Sequence, residues 1–434
     1  MAGGLGTRMR SPKPKVLHDL CGAPMLAWVE QAARDAGADD VVVVVSPAIA
    51  DEVAAAFPDV RIAVQSPANG TGHAVEVGLA ALAADAEHVL ILSGDTPAIH
   101  AETVRAVREA GSAAGVDGAL AIAQVAPPHA YGRVVRAAGS VERIVEARDA
   151  TAEQLAIADI NVGIYCFRVT ALAAALARVD AANAQGERYL TDAIALLDGT
   201  VAAVDEDDAG SCEGINSMVE LASLDELLRR RLLDRAMLSG VRIVDPASTF
   251  IDRDVVLAPG CRIEPFCQLR AGTTVAEGAV VGPYVAALGA TIGKGCIVGP
   301  FSFLRPGTVL HERAQVGRFV ELKGAEIGAG SKVPHLSYVG DATIGTGVNI
   351  GAGTITANYD GHRKHRTEIA DGARTSSNSV LVAPVRIGEG ATVAAGSVIT
   401  DDVPDGALGI ARPRQTVKEG YAERVAARRE EESR

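Results

Sequence analysis

Aromatic side chains are scarce: they make up 3% of the 434 residues, with a single Trp. Any large core must therefore be built from Ala, Val, Ile and Leu, and the 48% hydrophobic content excludes a disordered chain. Positive charge is also in deficit. Lys+Arg minus Asp+Glu is 41 − 54 = −13, which argues against a general nucleic-acid binder or a polybasic membrane anchor. An anionic substrate would have to be held by local positive charge. Long apolar runs are missing. The longest aliphatic run, Val41 to Val45, is far below the ~18 residues of a spanning helix, and no charged-then-apolar leader precedes it. The chain thus reads as soluble and cytoplasmic. Its six cysteines (Cys21, Cys166, Cys212, Cys261, Cys267 and Cys296) form no C-x-x-C pair, so neither a zinc site nor a disulfide framework is suggested. Glycine, by contrast, is abundant at 46 residues, and the length is about three times a ~150-residue domain, so two or three domains are expected.

Residues 1 to 216 alternate helical and strand patterns: helix over 23–36, strand over 41–45, helix over 72–84, strand over 89–92. This predicts an α/β sheet of parallel strands whose active edge lies at the strand carboxyl ends. Over 217–240, Met218, Leu221, Leu224, Leu228, Leu232 and Ala236 form one apolar stripe at spacings of three and four. That pattern suits either a connecting helical arm or a surface helix of the first domain. From 241 to 434 the period becomes six. Every sixth residue from Ile251 to Val281, and again from Ile292 to Leu322, is aliphatic. Shorter runs follow after one-residue slips: Ile327, Val333 and Val339, Ile344 and Ile350, then Leu381, Ile387, Val393 and Ile399. Four residues after each aliphatic stands a small residue, Cys261, Cys267 and Cys296 among them. A six-residue period predicts a parallel β-helix of 18-residue coils, with aliphatics stacked inside at the ~4.8 Å strand spacing.

Some residues break these patterns. Arg305 and Lys323 follow inward aliphatics where Gly, Ala or an acid is usual, and 323 − 305 = 18 places them one coil apart. A phosphate would suit such a cationic pair; solvated surface charge is the bland alternative. His335, Tyr338, Asn349, Asn358 and Tyr359 crowd polar groups into an otherwise aliphatic stretch, and an imidazole there is a candidate base. The period fails between Ile350 and Leu381, where His362, Arg363, Lys364, His365 and Arg366 mark a basic loop leaving the coil. It could face a polyphosphate or plain solvent. At the amino terminus, MAGGLGTRMRSPKPKVLH combines Gly3, Gly4 and Gly6 with Arg8 and Lys15, a turn able to curl around phosphate oxygens. It is neither a Walker loop nor the dinucleotide fingerprint. LILSGD ends a strand in Asp95, a Mg²⁺ ligand by position or an ordinary turn aspartate.

The motifs G-x-G-T-R-M, P-K-V-L-H, Q-x(4)-G-T-G-H-A, G-D, Y-G-R, I-V-E, N-x-G and E-G-x-N are followed by hexapeptide repeats with R-P-G, H-L-x-Y-x-G-D, N-I-G-A-G, N-Y-D-G and L-V-A-P-V. In this order they resemble the bifunctional bacterial N-acetylglucosamine-1-phosphate uridylyltransferase / glucosamine-1-phosphate N-acetyltransferase family over essentially the whole chain. The resemblance implies a Rossmann-like nucleotidyltransferase domain (1–216), a helical arm (217–240) and a left-handed parallel β-helix with a tail (241–434). For the first domain it implies uridylyl transfer from UTP to N-acetylglucosamine 1-phosphate. The residues it points to are Met1, Ala2, Gly3, Gly4, Gln65, Gly70, Thr71, Ser93, Gly94 and Asp95 for uridine, and Gly132, Glu146 and Asn161 for the sugar. Arg8 and Lys15 would face the triphosphate, and Asp95 and Asn216 would hold Mg²⁺. For the second domain it implies acetyl transfer from acetyl-CoA to glucosamine 1-phosphate, with His335 as base. Arg305, Lys323, Tyr338 and Asn349 would bind the sugar phosphate, and Ala352, Asn358, Tyr359, Ser377, Ala395 and Arg412 acetyl-CoA. A homotrimer acting on small molecules, with no nucleic acid and no membrane, is also implied. The family carries a buried strand ahead of the G-x-G-T-R loop; Met1 falls on that loop, so the first sheet is expected to lack its first strand. Two other readings stay open: a single-activity nucleotidyltransferase, or acetyltransferase, and a non-catalytic scaffold.

Overall fold

The aliphatic run near residue 41 forms a strand, Val42–Val45, paired in parallel with Arg61–Val64. It is seen in a computed structural model that describes residues 1–4, 6–137, 139–183 and 185–433 and divides into two units, Met1–Leu232 and Leu233–Arg434. The first unit's other large sheet runs in the order Thr200–Glu206, Val116–Gln124, Asp159–Arg168, Arg133–Ala137 and Ser140–Val145, with His88–Leu92 also on Asp159–Arg168. The expected parallel sheet is corrected to a mixed one. Asp159–Arg168 runs antiparallel to both His88–Leu92 and Val116–Gln124, because the chain reaches it from the hairpin of Arg133–Ala137 with Ser140–Val145 and not through a helical crossover.

Among the described residues, Val42–Val45 pairs only with Arg61–Val64, and His88–Leu92 only with Asp159–Arg168. Between them lies a slot of about 600 Å³ lined by Val42, Val44, Leu90, Leu92, Leu79 and Val29, among others. Met1 and Ala2 close one end of it. The Met1 ammonium donates to the Leu92 carbonyl at 2.7 Å, the Ala2 amide to Val44 O at 2.7 Å, and the Gly94 amide to Met1 O at 2.7 Å. Two residues thus tie two strand edges together. The cost is a buried ammonium: desolvation lowers the Met1 amine from the usual 8.0 to about 6, against the pull of the Asp95 carboxylate.

The predicted stripe forms a helix, Met218–Leu238. Leu224, Leu228 and Leu232 are buried, the Cys21 amide donates to Asp225 Oδ1 at 2.8 Å, and Arg231 donates to Asp208 Oδ2 at 2.9 Å. As far as Leu232 the helix therefore packs on the first unit.

The second unit is a three-faced left-handed parallel β-helix. Face one begins at Arg242–Ile243, face two at Phe250–Ile251 and face three at Val256–Leu257. Leu304 pairs with Leu322, 18 residues on, and Leu322 with Val339, 17 on. Alternation of these two coil lengths produces the one-residue slips in the repeat. The inward aliphatics Ile263, Leu269, Val281, Val298, Leu304 and Leu322 are fully buried, as are the small fillers Cys261, Cys267, Thr273, Ala279 and Cys296. Burial pushes the Cys261 and Cys267 thiols up to about 11, so these cysteines are packing groups.

At the corner between faces one and two, one residue per coil adopts positive φ: Phe266 (61°), Tyr284 (55°), Phe301 (56°), Phe319 (56°) and Leu336 (49°). That conformation costs an L-residue roughly 1–2 kcal/mol. Stacking of the four rings, with centroids 4.7, 4.8 and 5.2 Å apart and planes within 10°, offsets part of it. The ladder is nonetheless 46–59% exposed.

The buried Met1 amine gives stability a defined pH dependence. Its folded-state pKa is lowered, so between about 6 and 8 the unfolded chain binds a proton that the folded chain does not. Stability of the 434-residue chain is therefore expected to rise across that window by ~3 kcal/mol. Urea unfolding at pH 5.5 and 8.5 measures it. An amino-terminal extension of about nine β-branched residues, filling the slot, should abolish this increment and raise the midpoint; an extended chain with the same pH slope would contradict the assignment.

Candidate active sites

In the first unit a cavity of about 300 Å³ is lined by Met1, Ala2, Gly3, Gly4, Lys15, Gln65, Gly70, Thr71, Ser93 and Asp95. All were expected together from the sequence. Val16 and Ala74, within the P-K-V-L-H and G-T-G-H-A motifs, also line it, as do Ala68 and Glu187, which were not singled out from the sequence. The larger slot described above is apolar and lies between strand edges, so size does not mark the site here; polar convergence does. Leu5, in the middle of the amino-terminal loop, lies outside the described residues. Gly6 (φ +63°) has no room for a side chain, since a Cβ would stand 2.7 Å from Lys15 Cβ. Gly70 (φ +83°) presses on the Arg188 carbonyl, 2.4 Å from where a Cβ would be, and its own carbonyl accepts from Gln65 Nε2 at 3.0 Å. Gly94 supports the floor through its bond to Met1.

At the cavity mouth, Lys15 Nζ lies 2.6 Å from Asp95 Oδ2 and 3.0 Å from Asn216 Oδ1. Arg8 donates to the same Asn216 oxygen at 2.8 Å. The backbone that carries the two side chains is itself bonded. The Ile215 amide donates to Asp95 O at 3.0 Å, and the Asn216 and Ser217 amides donate to Glu220 Oε2. A carboxylate and an amide oxygen suit a hard divalent cation, and among the described residues no group of three or more His, Cys, Asp or Glu gathers to hold one alone. Substrate oxygens and water would complete its shell.

Gly132, Glu146 and Asn161 assemble separately. The Asn161 amide donates to Gly132 O at 2.9 Å, its side chain donates to Tyr165 Oη at 2.7 Å, and a Cβ on Gly132 would meet Glu146 at 3.6 Å. Burial raises the Glu146 pKa; the Thr191 hydroxyl, donating to Oε1 at 3.1 Å, opposes that rise. Neither Thr191 nor Tyr165 was singled out from the sequence, since neither sits in a recognisable motif.

In the second unit the corner between faces two and three gathers the cations. Arg305 pairs with Glu321 at 2.9 Å and Lys323 with Asp341 at 3.5 Å. Asp341 also accepts from Asn358 Nδ2 at 2.6 Å, and Asn358 lies 3.5 Å from the Tyr338 hydroxyl. Lys364, noted only as part of a basic loop, joins them. The neighbouring Lys323 lowers the Lys364 pKa, as a like charge at short range does. The loop leaves between Ile355–Ala357 and Thr367–Ile369. Tyr359 bridges Lys364 across it, and Asp360 is held far below the usual carboxylate range by the Arg363 amide, then by His365.

His335 lies elsewhere, at the end of Lys332–His335 on face one, one residue before the ladder's Leu336. Its carbonyl accepts from Gly353, the Ala352 carbonyl from Asn378, and the Ser377 carbonyl from Gly396. His335, Ala352, Ser377 and Ala395 therefore occupy one position on successive coils. A Cβ on Gly396 would stand 3.9 Å from Arg412 Cδ. Asn349 bridges Lys332 and Arg374 on face one. The chain thus brings His335 into line with Ala352, Ser377 and Ala395, and gathers the cations with Tyr338 and Asn358, so that Asn358 and Tyr359 part from the other residues expected at acetyl-CoA; face two separates the groups, with Tyr338 on it.

The two sites define a chain that couples a nucleotide-using transferase unit to a hexapeptide-type β-helix. Residues 1–196 match the MobA-like NTP transferase domain family. The whole chain is 46% identical to the bifunctional protein GlmU of Sorangium cellulosum, over 99% of this chain and 96% of that one. It is 44% identical to the bifunctional protein GlmU of Thermobifida fusca (98% and 93%) and 42% identical to that of Caldanaerobacter subterraneus (98% and 96%). The chain belongs to the GlmU family of bifunctional proteins. It is a transferase of UDP-N-acetylglucosamine synthesis with uridylyltransferase and acetyltransferase activities.

If Lys323 and Lys364 act on one anion, replacing either by Met should weaken inorganic phosphate binding to the full chain by about tenfold or more. Calorimetry measures this; unchanged binding in both variants would remove the cluster as a phosphate subsite.

Proposed function

We propose that the first unit's cavity binds UTP through Met1–Gly4, Gln65, Gly70, Thr71, Ser93 and Gly94, and N-acetylglucosamine 1-phosphate through Gly132, Glu146 and Asn161. A sugar-phosphate oxygen attacks the α-phosphorus in line, the α–β bond breaks, and pyrophosphate leaves. Arg8 and Lys15 neutralise the charge that builds there. Mg²⁺, held by Asp95 and Asn216, would supply further charge neutralisation at the phosphates.

In the second unit, Arg305, Lys323 and Lys364 grip the phosphate of glucosamine 1-phosphate, with Tyr338 and Asn349 on the sugar. Ala352, Asn358, Tyr359, Ser377, Ala395 and Arg412 hold acetyl-CoA. The amine attacks the thioester carbonyl, His335 takes its proton as the C–N bond forms, and coenzyme A leaves as the C–S bond breaks. The carrying observation is the single column of His335, Ala352, Ser377 and Ala395 along one corner. A β-helix serving only for assembly would have no reason to keep, besides that column, a cationic trio across face two.

The assembly we infer is a homotrimer of parallel rods meeting at the aromatic corner. The other two corners are charged, through Arg270, Arg305 and Lys323 on one, and Glu277, Lys294 and Arg313 on the other. Half-exposed Phe266, Tyr284, Phe301, Phe319 and Leu336, flanked by Ile297 and Phe303, offer on the order of 600 Å² of apolar surface, approaching the ~800 Å² per partner of a standard interface. A surface that repeats once per coil is matched along its length by another with the same repeat, which a second copy provides. We place the enzyme in the cytoplasm; no helix among the described residues is long and apolar enough to cross a membrane.

Replacing His335 by Ala should reduce acetyl transfer by 10²- to 10⁴-fold and leave uridylyl transfer to supplied N-acetylglucosamine 1-phosphate intact; unchanged acetylation would refute the base. Phe301→Glu should convert a trimer to monomers in light scattering. A trimer surviving that change would move the interface elsewhere.

A further inference from the structure

The cationic contacts at the mouth of the first cavity carry an inference that rests on the nucleotidyltransferase reading and on the proposed metal pair. Asp95 Oδ2 and Asn216 Oδ1 converge on one atom, Lys15 Nζ, at 2.6 and 3.0 Å. Both residues are braced through their main chain: the Asp95 backbone carbonyl accepts from the Ile215 amide, the Asn216 backbone amide donates to Glu220 Oε2, and the Asn216 side chain is turned by its Nδ2 donating to Gly214 O at 3.3 Å. That last bond turns the amide so that its oxygen faces the cations. The occupant, by contrast, hangs on a flexible four-carbon stem. It is well sheltered, with its side chain 8% exposed and that of Asp95 33%. Arg8 adds a second cation to the Asn216 oxygen at 2.8 Å.

A hard divalent cation takes oxygens at about 2.0–2.1 Å. It would need the same two oxygens from the same side, and an ammonium in that wedge would repel it at contact distance. Lys15 and the metal therefore exclude one another. We propose that Lys15, assisted by Arg8, is a displaceable stand-in for the metal: in the empty enzyme it holds Asp95 and Asn216 in place. When the triphosphate enters, it offers both cations a better anion, and they leave the two oxygens to the divalent ion. Two consequences follow. Metal binding without nucleotide is weak, and metal and nucleotide strengthen each other's binding by the same factor, as linkage requires. Lys15 is then a positioning residue before the reaction as well as a counter-charge during it.

The test is Mn²⁺ titration of the full chain, with free Mn²⁺ read by electron paramagnetic resonance, in the presence and absence of UTP. For the natural chain, UTP should tighten Mn²⁺ binding by at least tenfold. For Lys15→Met, Mn²⁺ without UTP should bind about tenfold more tightly than to the natural chain, and the gain from UTP should shrink. Because Lys15 is buried and supports the loop, a second measurement uses the natural chain alone. Labelling of Lys15 by an amine reagent, read by mass spectrometry, should rise when Mn²⁺ saturates the enzyme. Equal Mn²⁺ affinity in both chains, or unchanged labelling at saturation, would overturn the exchange. No Mn²⁺ binding by either chain even with UTP would overturn the metal assignment on which it rests.

Discussion

The coil repeat is the constraint on which the second unit depends. A chain that returns to the same face every 17 or 18 residues buries one aliphatic and one small residue on each of three faces per turn, and it repeats its outward positions in register. Any residue type placed once per coil then becomes a column. Stacked rings, paired cations and a line of carbonyl-bonded sites are all products of that geometry, although their chemistry differs. The strand spacing of about 4.8 Å explains why two cations can share one phosphate and why rings can stack face to face.

The first unit rests on a different balance. Its two sheets leave a gap that, among the described residues, Met1 and Ala2 bridge. The same two residues line the polar cavity, so the gap and the candidate site are neighbours. The charged mouth is satisfied from within the chain: Asp95 and Asn216, the expected metal ligands, each have a cation on them.

Much of this could be read from residues alone. The six-residue period located the inward column, and Cys261, Cys267 and Cys296 stood where small fillers belong, as their complete burial bears out. The amino-terminal glycines, Gln65, Thr71 and Asp95 were named together and line one cavity. Other features had no local signal. The antiparallel course of Asp159–Arg168 depends on how a hairpin returns to the sheet, which hydrophobic alternation does not encode. Thr191 and Tyr165 orient Glu146 and Asn161 from distant or unremarkable positions. Lys364 gained its place only because a loop folds back across the coil.

By itself the sequence determined the period, the composition of the core and the identity of the reactive groups, because each of these is a property of residues counted along one dimension. Tertiary structure alone decided which groups meet. It set Lys15 against Asp95 and Asn216, 80 and 201 positions away, and put the cations and His335 on opposite sides of one face. Contacts between remote positions are fixed by packing and hydrogen-bond closure in three dimensions, and spacing along the chain holds no record of them.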